Sequence, residues 1–252
     1  MRLGFRQVRG LREDDMKILL SNRKQLYKSV GELYTAGLSK ATLKRLADAD
    51  AFRSIGLDRR KALWEVAACD DQPIGMFAGQ PSANSTEEKV SLPEMKVSEH
   101  VVHDYASVSL SLKAHPVSFV REKLQQLHIV ASTDLGTLHN GEHVKVCGLV
   151  LVRQRPGTAK GVCFITIEDE TGCANLVVFE NILDKYRKEI LQSKLLMVEG
   201  RLQREGEVIH IIVQRCFNFS KLLRHLTESK KSSQPIQKAE QENIFPEGRN
   251  FR

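Results

Sequence analysis

Long apolar runs are missing from this chain. No stretch approaches the roughly 18 residues needed to cross a bilayer, and Met1-Arg2-Leu3-Gly4 does not begin a signal peptide. No membrane partner is expected, and a cytoplasmic location is. Cysteine is sparse and scattered: the five at 69, 147, 163, 173 and 216 form no Cys-x-x-Cys pair and have no histidine at zinc-finger spacing. They read as reduced thiols. His100, His103, His115, His128 and His139 are spaced too irregularly for a metal site. Paired carboxylates occur at Asp48-Ala49-Asp50 and in Glu168-Asp169-Glu170, but the first sits at a helix end and the second closes a strand. With no third carboxylate on a nearby strand for the first pair, both read as surface or turn chemistry, not as a magnesium-holding set. No catalytic residue, metal ligand or cofactor is expected in this chain.

What is present is positive charge. The 252 residues carry a net charge of +7 with pI near 9.2, which favours acidic partners such as nucleic acid. The first 67 residues hold 15 Lys and Arg against 8 Asp and Glu, so that segment alone accounts for a surplus of 7.

The clearest organisation lies between Glu142 and Phe219. Val144, Val146, Gly148, Val150 and Val152 alternate at period two, with Lys145 and Cys147 between them, which is strand chemistry. A basic loop follows, containing Arg153, Arg155 and Lys160. Then come Val162–Glu168, β-branched and aromatic, a turn at Asp169-Glu170-Thr171-Gly172, and a third run from Ala174 to Phe179. Asn181–Ser193 has helical periodicity. Two more strands, Leu195–Gln203 and Val208–Phe217, are joined by Arg204-Glu205-Gly206-Glu207. Three strands, a helix and a hairpin is the order of an OB-fold barrel, whose second and third strands and adjacent loops commonly hold oligonucleotides. Period two places Cys163, Ile165 and Ile167 in the core and Phe164 and Thr166 outside. An outward Phe beside Arg153, Arg155 and Lys160 points to base stacking with phosphate contacts, the alternative being a ring covered by the N-terminal helices or the linker. Arg201 and Arg204, on the last hairpin, join the candidate nucleic-acid residues.

The N-terminal third reads as helices. Met16, Leu19 and Leu20 share one face of the first, and Leu57–Val66 forms another with Leu63 and Trp64 in the core. Val8-x-Gly10-Leu11 has the hydrophobic-x-Gly-hydrophobic form of a helix-hairpin-helix turn, flanked by Arg6, Arg9 and Arg12. Amides in such a turn can face a phosphate. The plain alternative is a glycine turn between packing helices, and Glu13, Asp14 and Asp15 would repel a close phosphate. Ala36-Gly37-Leu38-Ser39 repeats the pattern, with Ser39 as N-cap. Lys40 and Lys44 follow on a basic face that is either solvated or a phosphate contact.

The fold class is therefore α+β. Residues 1–68 form a helix-hairpin-helix region, and 69–95 a Pro-, Gly- and Ser-containing linker. Residues 96–138 form a helical connector, 139–220 the OB barrel, and 221–252 a polar tail read as largely disordered.

Several blocks carry a family likeness. Gly37–Arg60, Leu110-Ser111-Leu112-Lys113-Ala114-His115-Pro116, Gly148–Gly157, Leu202–Gly206 and the ending Gly248-Arg249-Asn250-Phe251-Arg252 resemble the C-terminal part of bacterial error-prone DNA polymerases. These are relatives of the replicative DNA polymerase III alpha subunit. The resemblance implies a DNA-binding region of an enzyme for synthesis past damage, serving repair and replication. It also implies that the catalytic palm, with its Asp triad and magnesium, lies upstream of everything present. The chain then reads as a C-terminal fragment or split-gene product that is not catalytic by itself. The partners implied are DNA, as single-stranded template or primed duplex, a separately encoded polymerase core, and a sliding clamp. Gln72, Ile74, Met76 and Phe77 are similar to the family's clamp-binding peptide. An alternative is a free-standing OB module for RNA or other single strands, because Lys160-Gly161, Phe164 and Asp169 resemble a pattern of aminoacyl-tRNA synthetase OB domains.

Overall fold

The computed structural model describes residues 3–23, 26–69, 92–159, 161–224, 226 and 248–251. It divides into two compact units, one comprising the described residues up to 96 with 107–110, the other 97–106 with those from 111 onward.

The first unit is helical: α1 Glu13–Ser21, α2 Val30–Thr35, α3 Lys40–Asp48 and α4 Arg59–Ala68. Local chemistry starts three of them. The side chains of Ser29, Ser39 and Asp58 accept hydrogen bonds from the amides of Glu32, Thr42 and Lys61, satisfying donors that a helix start leaves without partners. Leu33, Leu38, Leu43, Leu46, Phe52, Ala62 and Val66 make the core. Arg59 is completely buried beside them, and its Nε donates to the Asp48 carbonyl at 2.9 Å, capping the end of α3. One residue expected in the core and one expected to share an apolar helix face lie outside. Trp64 is 56% exposed and Leu20 64% exposed. On α4 the buried stripe runs through Arg59, Ala62 and Val66, with Leu63 only partly buried, so Trp64 lies one residue further round the helix and faces water. On α1, Leu19 takes the buried position and Leu20 is rotated away from it.

In the second unit, β1 His143–Gln154, β2 Cys163–Glu168, β3 Cys173–Val178, β4 Leu195–Glu205 and β5 Val208–Asn218 join in the order β2-β3-β5-β4-β1. An additional pairing of β1 with β2 closes the barrel, with β3 and β5 as its parallel pair. Cys163, Ile165 and Ile167 point into this barrel with Val144, Val146 and Val198, and the expected alternation of β2 holds. The register of β4 against β5 shifts between Glu199 and Gly200. A Cβ at Gly200 would come within 2.3 Å of the Ile212 carbonyl oxygen, so only glycine lets these strands cross so closely.

A second core coats the outside of β1 and β4. Cys147, Leu149, Leu195 and Met197 pack against Val101, Val102 and Tyr105 of α5 (Val97–Val108), against Val117 and Val120 of the helical turn Pro116–Val120, and against Leu124 of α6 (Arg121–Gln126). β1 is therefore buried on both faces. The helical interval after β3 breaks at Tyr186 into α7 Glu180–Lys185 and α8 Arg187–Gln192. Within the stretch read as a tail, Ser220–Arg224 forms α9, and Arg249–Phe251 pairs in parallel with β1 as β6. Residues 227–247 lie outside the described residues.

Candidate nucleic-acid interface

The strand registers assemble a continuous outer row on the barrel. Phe164 on β2 stands opposite Val177 on β3, Val177 beside Ile212 on β5, Ile212 opposite Arg201 on β4, and Arg201 opposite His143 on β1. Phe164 is 38% exposed, Val177 and Ile212 are half-buried, and Arg201 and His143 are exposed. A second row, Thr166, Asn175, His210 and Gln203, runs alongside. The Thr166 and Asn175 side chains lie 3.1 Å apart in a hydrogen bond. The surface thus offers an aromatic face, an apolar stripe that continues it, and hydrogen-bonding groups beside it, the components from which single-strand sites are built. Sequence reading named Phe164 and Arg201 but not Asn175, His210 or Ile212. Their placement depends on the parallel β3–β5 pairing, which no local pattern announces.

The cations near this face divide by role. Arg153 was expected to meet phosphate and is instead 4% exposed, with Nε donating to the Ile190 carbonyl at 2.7 Å and Nη2 to the Ser193 carbonyl. It caps the C-terminal end of α8, where carbonyls have no helical partner. Arg204 is exposed, yet its Nη2 donates to the carbonyls of Gly136 at 2.7 Å and Leu138 at 3.3 Å. It too holds a helical turn, Ser132–Thr137, against the barrel. Arg155 is exposed, and among the described residues it makes one ion pair, Nη2 to Glu180 Oε1 at 3.3 Å. Lys160 lies outside the described residues.

The acidic run after β2 is structural. Asp169 accepts from the amides of Ser132, Thr171 and Gly172, from the Thr171 hydroxyl and from Arg121, and Arg121 also grips Glu170. Burial alone would raise the Asp169 pKa, but the bonds donated by Thr171 and Ser132 outweigh it and hold the carboxyl below its usual value. His115 packs nearby, with Nδ1 accepting from the Val117 amide and Nε2 at 3.8 Å from Glu168. Burial lowers its pKa against the opposing pull of Glu170 and Asp169.

In the helical unit, both expected glycine turns adopt the left-handed conformation, Gly10 at φ +73° and Gly37 at φ +100°. The latter joins α2 to α3 as a tight helical hairpin. Sequence reading missed a third turn: Ile55-Gly56-Leu57-Asp58 has the same apolar-Gly-apolar form, with Gly56 at φ +83°, and leads directly into α4. Arg6 and Arg12 are exposed, as is Lys44. Arg9 is exposed too, but its Nη2 donates to the Ser109 hydroxyl at 2.9 Å. Lys40 donates to the Ala67 carbonyl at 3.1 Å, tying α3 to the end of α4. Asp50 binds Arg53 at 2.6 Å with its own side chain only 6% exposed, so this carboxylate is turn chemistry but not surface. Burial raises the Asp48 pKa, with Lys44 and Arg59 opposing. The candidate clamp peptide, Gln72, Ile74, Met76 and Phe77, lies outside the described residues.

Comparison with known proteins agrees with both units. Residues 144–218 match the family described as an OB-fold nucleic acid binding domain, and residues 1–62 match the helix-hairpin-helix motif. The chain is 51% identical over 229 residues to error-prone DNA polymerase 1 of Rhizobium meliloti, covering 88% of this chain and 20% of that protein. It is 43% identical over 241 residues to the error-prone DNA polymerase of Caulobacter vibrioides, covering 93% of this chain and 22% of the relative. The chain thus spans about a fifth of the length of the curated relatives it matches. A solved asparaginyl-tRNA synthetase from Pyrococcus horikoshii is similar at 19% identity and a TM-score of 0.31, over 41% of this chain and 30% of that one, too distant to bear on function. Among the described residues no helix is long and apolar enough to cross a membrane.

Proposed function

We propose, from this likeness to one segment of error-prone DNA polymerases, that the chain is the DNA-binding C-terminal part of such a polymerase. In this reading it holds template or primed duplex while a polymerase core, encoded separately or upstream, does the chemistry with magnesium. One observation carries it: Phe164 stands outside the barrel on a strand whose flanking residues, Cys163 and Ile165, are core, and an apolar row extends from it to Arg201. The barrel gains nothing from the exposed part of the ring, whereas a single strand can stack a base on it. The three glycine turns of the helical unit suit a second contact, in which backbone amides and nearby Arg6, Arg12 and Lys44 meet phosphates without reading sequence. The clamp as partner, through Gln72 to Phe77, belongs to the same reading and rests on the peptide's form.

The deciding experiment is a binding series with single-stranded DNA, primed DNA and RNA of equal length at matched salt. Tighter binding to DNA than to RNA is expected. Preference for RNA would replace this proposal with the free-standing RNA module.

A further inference from the structure

At the end of the barrel where β1 hands over to β2, α7 and α8 enclose a hollow of about 380 Å³ with β1, β2 and β6. Its apolar lining includes Leu183 and Leu191, and its polar side carries Arg153, Arg155 and Arg187, with Asp184 also present. Arg153 is committed to the carbonyls that end α8. Arg187 is exposed, and the described residues give it no ion-pair partner. Among the described residues Arg155 is held by Glu180 alone, in an ion pair whose side chains are 48% and 60% exposed. Glu180 is placed with some care. Gly161, at φ +83°, brings the loop backbone so close that a Cβ there would stand 2.7 Å from the Glu180 carboxyl carbon. A carboxylate is thereby seated against Arg155, a guanidinium that lines the hollow together with Arg187.

We infer that this hollow takes a phosphate of the nucleic-acid backbone on Arg155 and Arg187, and that the Glu180 carboxylate competes with that phosphate for Arg155. The inference rests on the reading that the barrel face holds a nucleic acid. Phe164 pairs with Gln154, the neighbour of Arg155, and follows Cys163, which lines the hollow, so a base stacked on Phe164 sits one residue along either strand from the lining of the hollow. Planar guanidiniums suit the task because each can bind two phosphate oxygens at once. Glu180 acts as a threshold: a solvated anion or an isolated charge does not displace it readily, while a strand anchored on Phe164 presents its phosphate at high local concentration. Asp184, on the same rim, lowers the local positive charge and works in the same direction.

The test uses the whole chain and a fluorescein-labelled oligo(dT), with anisotropy followed over a salt series. Arg187→Ala is expected to weaken binding three- to tenfold and to flatten the salt slope by about 0.7, the value of one phosphate contact on a single strand. Arg187→Lys should recover part of both. Glu180→Gln should tighten binding by about threefold, the size of an exposed ion pair, which a merely structural Glu180 would not do. Unchanged affinity and slope in Arg187→Ala, while Phe164→Ala still weakens binding, would overturn the phosphate site and leave the barrel reading intact. Loss of neither would overturn both. Competition by inorganic phosphate that Arg187→Ala abolishes, with oligo(dT) affinity equal in both proteins, would assign the hollow to free phosphate and also overturn the proposal.

Discussion

Replacing Phe164 with alanine separates stacking from packing, and the structure sets the size of each effect. The side chain is 38% exposed, so rather more than half of it is packed against the sheet. Full burial of a Phe is worth about 1.5–3 kcal/mol, and truncating this one should cost about 1–2 kcal/mol, too little to unfold a domain of ordinary stability. Stacking of a base on an aromatic is worth about 1–3 kcal/mol. With only part of the ring accessible the lower half of that range applies, so single-stranded DNA should bind roughly tenfold more weakly, 1.4 kcal/mol being one decade. Phe164→Leu supplies the control: it keeps most of the packing and loses the stacking, so its affinity should fall nearly as far while its stability stays close to the parent's. Anisotropy gives the affinities and urea unfolding the stabilities. Folded Phe164→Ala protein with unchanged affinity would refute the stacking argument. A collapse of stability with no separate loss of affinity in Phe164→Leu would show that Phe164 serves the sheet alone.

Two further perturbations follow from the same geometry. Arg153→Ala removes a buried guanidinium from the Ile190 and Ser193 carbonyls. It should cost about 2–4 kcal/mol in urea unfolding, and a variant of parental stability with a flatter salt dependence of DNA binding would contradict the capping role. Burial lowers the His115 pKa, so the folded value lies below the unfolded one. Below about pH 6.5 the unfolded imidazole takes a proton that the folded one resists, so stability should fall with acidification until the folded pKa is passed. Glu168, whose pKa burial and Asp169 raise, acts in the opposite sense, since its folded form gains the proton first. The informative quantity is therefore a difference. His115→Asn, which keeps a side-chain acceptor for the Val117 amide, should lose the His115 acid limb, whereas parallel urea midpoints for the two proteins from pH 7.5 to 5 would show that burial does not lower the His115 pKa.

Much of the barrel was legible because strand periodicity is local. The alternation of Cys163, Phe164, Ile165, Thr166 and Ile167 fixed which face each side chain takes, and burial agrees at every position. The same rule fails to explain β1, where Cys147 and Leu149 are buried although they lie on the face opposite Val146 and Val150. They are covered by α5 and α6, from a segment that the sequence marks only as helical. Trp64 misled for the related reason that hydrophobicity states a preference while the partner decides. The buried stripe of α4 includes Arg59, which enters the core by capping α3, and Trp64 is left facing water.

The arginines illustrate a distinction that composition cannot make. A surplus of positive charge suggests contacts to phosphate, yet Arg59, Arg153 and Arg204 all donate to main-chain carbonyls at or near the ends of helical turns, at Asp48, at Ile190 and Ser193, and at Gly136 and Leu138. A helix end presents unpartnered carbonyls and a negative dipole, so to a guanidinium it resembles an anion. Such an end can lie far away in sequence, as with the separation of 37 positions from Arg153 to Ile190. Each arginine recruited this way is subtracted from the charge available to a ligand. On the barrel, what remains among the described candidates is Arg201, at the end of the outer row, and the pair Arg155 and Arg187 around the hollow. The affinity for a polyanion should therefore follow these few side chains and the apolar row between them, and not the formal charge of the chain.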